Sequence, residues 1–254
     1  MSENTQILYE NFEMPQLGRT RRIWLYLPSS YHYSDQHYPV IYMQDGQNLF
    51  DERYAAFGEW DVDGTLMHLE REGFSGAIVV GIDNGSSLRI DEYSPYRNEH
   101  GGGEGDQYAD FIVNTLKPYI DSKFRTLHQR EHTAIGGSSM GGLISLYAGL
   151  KYEYVFGKLL VFSPSLWFSE QIYEFAVHKG IHYPTKYYFL GGDRESPYMR
   201  ARIGRVAKTI QMNAHSDSQV HVVMREHGDH TESFWRAEFA EACRWLFEFY
   251  PVYA

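Results

Sequence analysis

Gly137-Ser138-Ser139-Met140-Gly141 sets a serine between two glycines. A serine hydroxyl becomes a nucleophile when a neighbouring base takes its proton. The flanking residues supply the setting such a serine needs. Before it runs a β-branched and apolar stretch, His132 to Ile135, ending in Gly136-Gly137. After it, Leu143, Leu146, Tyr147 and Leu150 recur at the spacing of one helix face. Strand, sharp turn and helix would place Ser139 at a helix N-terminus, where free amides and the dipole favour a developing oxyanion. Glycines suit the flanks because the turn forces backbones together, so a Cβ at either place would clash. The competing reading is a glycine-rich loop in an arbitrary β-α unit, and the strand and helix around the pentapeptide count against it.

A nucleophilic serine needs a base, an acid to orient that base, and two N–H donors for the oxyanion. In α/β hydrolases the order along the chain is Ser, then Asp or Glu, then His, and the sequence supplies it. His230 is the best base, in the glycine-containing loop His227-Gly-Asp-His230 after the last strand; His227 is its close rival. A neutral imidazole near pH 7 can take the serine proton and return it. Asp193 and Glu195 both follow Gly191-Gly192, and periodicity does not choose between them; the loser would be an exposed loop carboxylate without a partner. The amide of Met140 is one expected oxyanion donor. The second is expected from Gln47, in the Asp45-Gly46-Gln47-Asn48 turn, although Asp-Gly favours a plain turn in any case. His215, His221, His227 and His230 fall close together, but no helix-borne metal spacing accompanies them. Gly101-Gly-Gly-Glu-Gly105 lacks the lysine of a phosphate cradle. No metal or organic cofactor is expected.

These residues must be positioned by strands. Ile7–Phe12 and Arg21–Leu27 read as an antiparallel opening pair, and Pro39–Gln44 as a short buried strand. Ala77–Ile82 is a continuous apolar run of the kind found in parallel sheets covered on both faces. Further strands are expected at Leu159–Phe162, Lys186–Leu190 and Val220–Met224, with helices near 62–71, 106–121, 199–212 and 233–249. Asn84 to Gly105 reads as a mobile polar loop at the edge of the site. Strands alternating with helices predict an α/β fold with a mostly parallel, doubly wound sheet and helices on both faces. With no repeat or linker, residues 1–254 are expected to form one domain.

Composition narrows the partners. A net charge of −10 argues against nucleic acid and anionic membranes. Aromatic side chains make up 16% of the chain, so aromatic pocket walls are plausible. The lone Cys243 permits no intrachain disulfide and reads as a buried, inert thiol. Met1-Ser-Glu-Asn-Thr-Gln carries neither the basic nor the apolar region of a secretory signal, so a cytoplasmic location is the expectation. No apolar run approaches a membrane span. Nothing indicates the oligomeric state.

In sequence order, several segments resemble one esterase group of the α/β-hydrolase superfamily. They include Tyr38 to Phe50, Arg89 to Pro95, Gly136 to Gly142, Phe162-Ser-Pro-Ser-Leu-Trp167 and His230-Thr-Glu-Ser-Phe-Trp235. That group contains carbohydrate esterase family 1 (feruloyl and acetylxylan esterases), trilactone-siderophore esterases and S-formylglutathione hydrolases. The resemblance covers nearly the whole chain. It implies Ser139 as nucleophile and His230 as base. It favours Glu195 as the acid, with Asp193 as the alternative, and some members are similar to Ser–His dyads. It also implies that Trp167 and Arg89 line the substrate pocket, while a core aromatic is the competing reading of Trp167. The S-formylglutathione hydrolases fit less well, because Ser138 and Leu143-Ile144 stand where their motif has histidines and a glycine. The reaction implied is hydrolysis of a small-molecule or oligosaccharide ester through an acyl-enzyme. Feruloyl or acetyl carbohydrates, or related aryl esters, are the first substrate expectation, and catecholate siderophore trilactones the second. An acyltransferase or a non-catalytic binding module on this scaffold are the rivals.

Overall fold

Side chains of a strand alternate between the two faces of its sheet, so a run that is apolar throughout requires cover on both sides. The computed structural model, which describes residues 1–250, meets that requirement with eight strands in one sheet. They are β1 (Thr5–Met14), β2 (Arg19–Tyr26), β3 (Val40–Gln44), β4 (Ile78–Ile82), β5 (Thr133–Ser138), β6 (Lys158–Phe162), β7 (Lys186–Gly192) and β8 (Gln219–Arg225). The spatial order is β1-β2-β4-β3-β5-β6-β7-β8. β1 and β2 pair antiparallel, as does β2 with β4, and every pairing from β4 through β3 to β8 is parallel.

The helices are α1 (Val62–Arg71), α2 (Arg89–Glu92), α3 (Gly105–Phe111), α4 (Lys117–Lys123), α5 (Met140–Lys151), α6 (Gln171–His178), α7 (Met199–Asn213) and α8 (Glu232–Phe247). They divide between the faces. Tyr42, Val80, Ile135, Val161 and Phe189 point into one core with α3 to α7. Their chain neighbours Ile41, Val79, Ala134, Leu160 and Tyr188 point into the other, with α1 and α8. This is the doubly wound arrangement expected.

Local departures from the expected elements have physical causes. The single helix expected near 106–121 is α3 and α4 joined through a π turn at Ile112–Leu116. Pro118 stands in the first turn of α4 and has no N–H to continue the regular ladder. α5 is buried on all sides from Met140 to Leu150, not on one face alone, because it is enclosed by β5, β6 and α3. Residues 84–105 are tied to the sheet by ion pairs. The Glu92 carboxylate, fully buried, accepts from Arg19 Nη1 at 3.0 Å and Arg21 Nη2 at 2.7 Å, both on β2. Cys243 is buried in α8, where burial pushes its thiol pKa well up.

The topology has one consequence for chemistry. β3, β5, β6, β7 and β8 are adjacent and parallel, so their carboxyl ends open on the same edge of the sheet. The segments that leave those ends carry Gln47, Ser139, Ser163, Glu195 and His230.

Candidate active site

Ser139 follows β5 directly and caps α5 with φ 59° and ψ −123°, a strained conformation for a residue with a Cβ. The close packing around this turn falls largely where expected. A Cβ on Gly137 would lie 3.0 Å from the Gly141 backbone, and one on Gly141 3.2 Å from Gln44 and Asp45. Those are tight contacts. The outright collision comes one residue later, at Gly142, where a Cβ would lie 2.8 Å from the Phe162 carbonyl oxygen.

Three side chains from three strand ends meet here. His230 Nε2 lies 2.9 Å from Ser139 Oγ. His230 Nδ1 lies 2.6 Å from Glu195 Oε2. Glu195 is buried. Its other oxygen, Oε1, accepts from the Gly192 N–H at 2.6 Å and from Ser163 Oγ at 2.7 Å. An anionic carboxylate only accepts, so His230 must present Nδ1–H to Glu195, which leaves Nε2 free to accept from Ser139. Asp193 is elsewhere: its carboxylate takes a forked pair of bonds from Arg200, at 3.0 and 2.5 Å, on the exposed side of the loop. The expectation that the losing carboxylate would stand without a partner is thereby corrected. Asp193 is occupied by a guanidinium.

The other expected residues distribute as follows. His227 points to Arg194, its Nδ1 3.4 Å from Nη2. His221 stacks on Trp245, and His215 is beside Asp217, so the four neighbouring histidines do not converge. Met140 is the residue after Ser139, and Gln47 leaves the end of β3, the strand beside β5. Neither backbone amide donates to a carbonyl in a loop, turn or cap among the described residues. Gln47 lines a cleft of about 840 Å³ together with Ser139, His230, Arg89, Asp45 and Glu232. Arg89 donates to both oxygens of Asp45 at 2.7 Å and lies over the Tyr93 ring. Burial works against its charge, and the Asp45 bonds outweigh it, holding its pKa above the usual value. Trp167 is not a core aromatic. It is 52% exposed and lines a second recess of about 550 Å³ on the other side of His230.

Ser163 carries more of the geometry than its sequence suggested. It is buried, has φ 43°, and follows β6. Trp235 Nε1 donates to its Oγ at 2.8 Å. Since an indole nitrogen can only donate, the Ser163 proton is directed to Glu195. Donation thus runs from Trp235 to Ser163 to Glu195 on one side and from His230 to Glu195 on the other, which fixes the carboxylate. Ser163→Ala is expected to lower kcat about tenfold or more with KM little changed, since hydrogen bonds to charged groups contribute ~1.5–3 kcal/mol. Steady-state kinetics on an aryl acetate checks this, and a change confined to KM would contradict it. Ser165 completes the surroundings, its Oγ 3.2 Å from Ser139 Oγ.

The sequence and the fold both align with known proteins. Residues 14–246 match the family model described as "Putative esterase", which is most of the chain. The chain belongs to this esterase family. It is an enzyme that hydrolyses esters. Among relatives, the uncharacterized protein YbbA of Bacillus subtilis (strain 168) is 26% identical over 245 residues, covering 89% of this chain and 92% of that one. A siderophore triacetylfusarinine C esterase of Aspergillus fumigatus is 28% identical over 142 residues, 52% of this chain and 45% of its own. Among solved structures, an IroE-like serine hydrolase from Shewanella oneidensis superposes with TM-score 0.78 at 23% identity, over 96% of this chain and 79% of that one. Such a superposition bears on the fold, which is the α/β-hydrolase type read from the sequence. No helix among the described residues is long and apolar enough to cross a membrane.

Proposed function

We propose that this esterase is a serine carboxylesterase working through Ser139, His230 and Glu195. The observation that carries the reading is the unbroken chain from Ser139 Oγ through His230 to Glu195, at 2.9 and 2.6 Å. Ser139 attacks the ester carbonyl as His230 Nε2 takes its proton, and Glu195 stabilises the imidazolium that forms. The Met140 and Gln47 amides hold the tetrahedral oxyanion, a role their unengaged backbone N–H groups support. His230 then protonates the departing alcohol. Water, activated by the same histidine, releases the acid from the acyl-enzyme. Asp193 takes no part. Trp167 and Arg89 line the substrate pocket, Arg89 by holding the wall at Asp45.

For substrate, we favour an acylated carbohydrate, feruloyl or acetyl, or a related aryl ester. A cleft with hydrogen-bonding side chains and an aromatic recess beside it suits a hydroxylated alcohol joined to an aryl or small acyl group. A second reading, in which catecholate siderophore trilactones are cleaved, is supported by a relative named as a siderophore enterobactin esterase, of Emericella nidulans, 32% identical over 78 residues. Product analysis on a feruloylated or acetylated xylo-oligosaccharide and on a catecholate trilactone separates them. Release of ferulate or acetate alone is expected, and cleavage of the trilactone alone would transfer the assignment. Turnover of neither, with an aryl acetate still hydrolysed, would retain the mechanism and remove both substrates.

A further inference from the structure

The main cleft is lined by ionisable groups of unequal sign. Asp45, Asp83 and Glu232 face it, against Arg89 and the histidine of the site. The charge of Arg89 is already directed at Asp45, to which two of its nitrogens are bonded. Asp83 has the Trp24 indole N–H at 2.6 Å and Arg22 at 3.6 Å. Burial nevertheless pushes its carboxyl up to about 6.

Glu232 is different. It is 8% exposed, stands two residues after His230, and forms no salt bridge among the described residues. Its side-chain partner is Asn48 Nδ2, at 3.5 Å, the limit of a hydrogen bond. Burial raises its pKa, and its own backbone N–H opposes the rise only in part. Asn48, equally buried, has an amide oxygen with no partner at all. The Glu232 carboxylate, which lines the cleft, thus has one long side-chain donor and no salt-bridge partner, and a buried acceptor short of donors is costly. Glu59, Asp61 and Asp63 gather within one another's reach, and the nearby cation Arg236 is bonded to Asp61 at 2.7 Å rather than to Glu232.

We propose that Glu232, backed by Asn48, forms a donor-binding subsite of the main cleft, which takes a hydroxyl or ammonium group on the half of the ester lying there and turns away carboxylates. The inference rests on Ser139 being the nucleophile of this cleft. Hydroxyl and ammonium groups supply further donors to Glu232, whereas a carboxylate supplies none and meets a like charge that no salt bridge neutralises. The rim residues Tyr54 and Phe57, both exposed, offer apolar and π faces on which a sugar ring or an alkylammonium can rest.

The test uses two matched ester series. In one the alcohol, and in the other the acyl group, carries a carboxylate, a hydroxyl or a trimethylammonium. kcat/KM is measured for the wild-type protein, Glu232→Gln and Glu232→Asp, and labelling of Ser139 by a fluorophosphonate is followed in parallel. In one of the series the wild-type protein is expected to prefer the hydroxyl and ammonium esters over the carboxylate ester by about tenfold or more. Glu232→Gln should bring that ratio below about threefold, and Glu232→Asp should retain most of it, because only the first removes the charge. A ratio unchanged by Glu232→Gln in both series, with Ser139 still labelled, overturns the subsite and leaves the esterase mechanism standing. Failure of the wild-type protein to label removes the mechanism and the subsite together.

Discussion

Ser139→Ala should lower kcat by a factor of about 10⁴ to 10⁶, the range seen when the nucleophile of a serine hydrolase is removed. Alanine keeps the Cβ that strains the turn at φ 59° and ψ −123°, so the melting temperature should hardly move. Ser139→Gly provides the control. It loses the same hydroxyl but relieves the backbone, and is expected to be more stable by about 1 kcal/mol or more. Thermal unfolding of the three proteins, beside turnover of an aryl acetate, separates loss of chemistry from loss of fold. Substantial turnover by Ser139→Ala would remove the mechanism whatever the stability.

Glu195→Gln against Asp193→Asn is the second large contrast. Glu195→Gln replaces an acceptor-only group with one that can also donate, and His230 Nδ1, 2.6 Å from Oε2, loses the partner that sets its tautomer. Comparable substitutions in serine hydrolases cost about 10⁴ in kcat, and a loss of about 10³ or more is expected here. Asp193 is bonded to Arg200 on the surface, and exposed ion pairs contribute little, so Asp193→Asn should stay within about threefold of the wild-type rate. Equal losses in the two variants would undo the assignment of the acid. A mild effect of Glu195→Gln would instead favour a Ser–His dyad with Glu195 as a spectator.

How far these roles were legible in the sequence follows from where their information lies. β3, β4 and β6 are short runs buried on both faces, and continuous apolarity signals such strands directly. Ser139 was legible because strand, glycines and helix all surround it within one stretch. His230 stood out by order and loop position, but the choice of Glu195 over Asp193 rested on the resemblance, and it is Glu195 whose Oε2 lies 2.6 Å from His230 Nδ1. Both carboxylates leave the same strand, and only the fold decides which of them turns inward. α6 was missed, although Ile172, Tyr173 and Ala176 form its buried face, a pattern too short to stand out from the preceding loop. Ser163 was quoted only as part of a motif. Its donation to Glu195 depends on a tryptophan 72 residues away, a distance at which local pattern carries no signal. Glu232 enters the sequence reading only within the motif His230 to Trp235, since nothing local reveals that its carboxylate lines a cleft without a salt-bridge partner.

Gly192, at the end of β7, runs so close to the loop after β8 that a Cβ there would lie 2.1 Å from the Gly228 carbonyl oxygen. The Arg194 N–H donates to that same oxygen at 3.2 Å, and the Asp193 N–H to Arg225 O at 3.0 Å. The segment bearing the acid and the segment bearing the base are therefore clasped main chain to main chain. The exit of β6 extends the clasp to the nucleophile: the Ser139 N–H donates to Phe162 O at 3.0 Å, the Ser165 N–H to Ser139 O at 3.0 Å, and the Ser163 N–H to Leu190 O at 2.7 Å. Serine, acid and base are thus strung on one continuous seam of backbone, and the gap across which the proton has to pass is set by main chain.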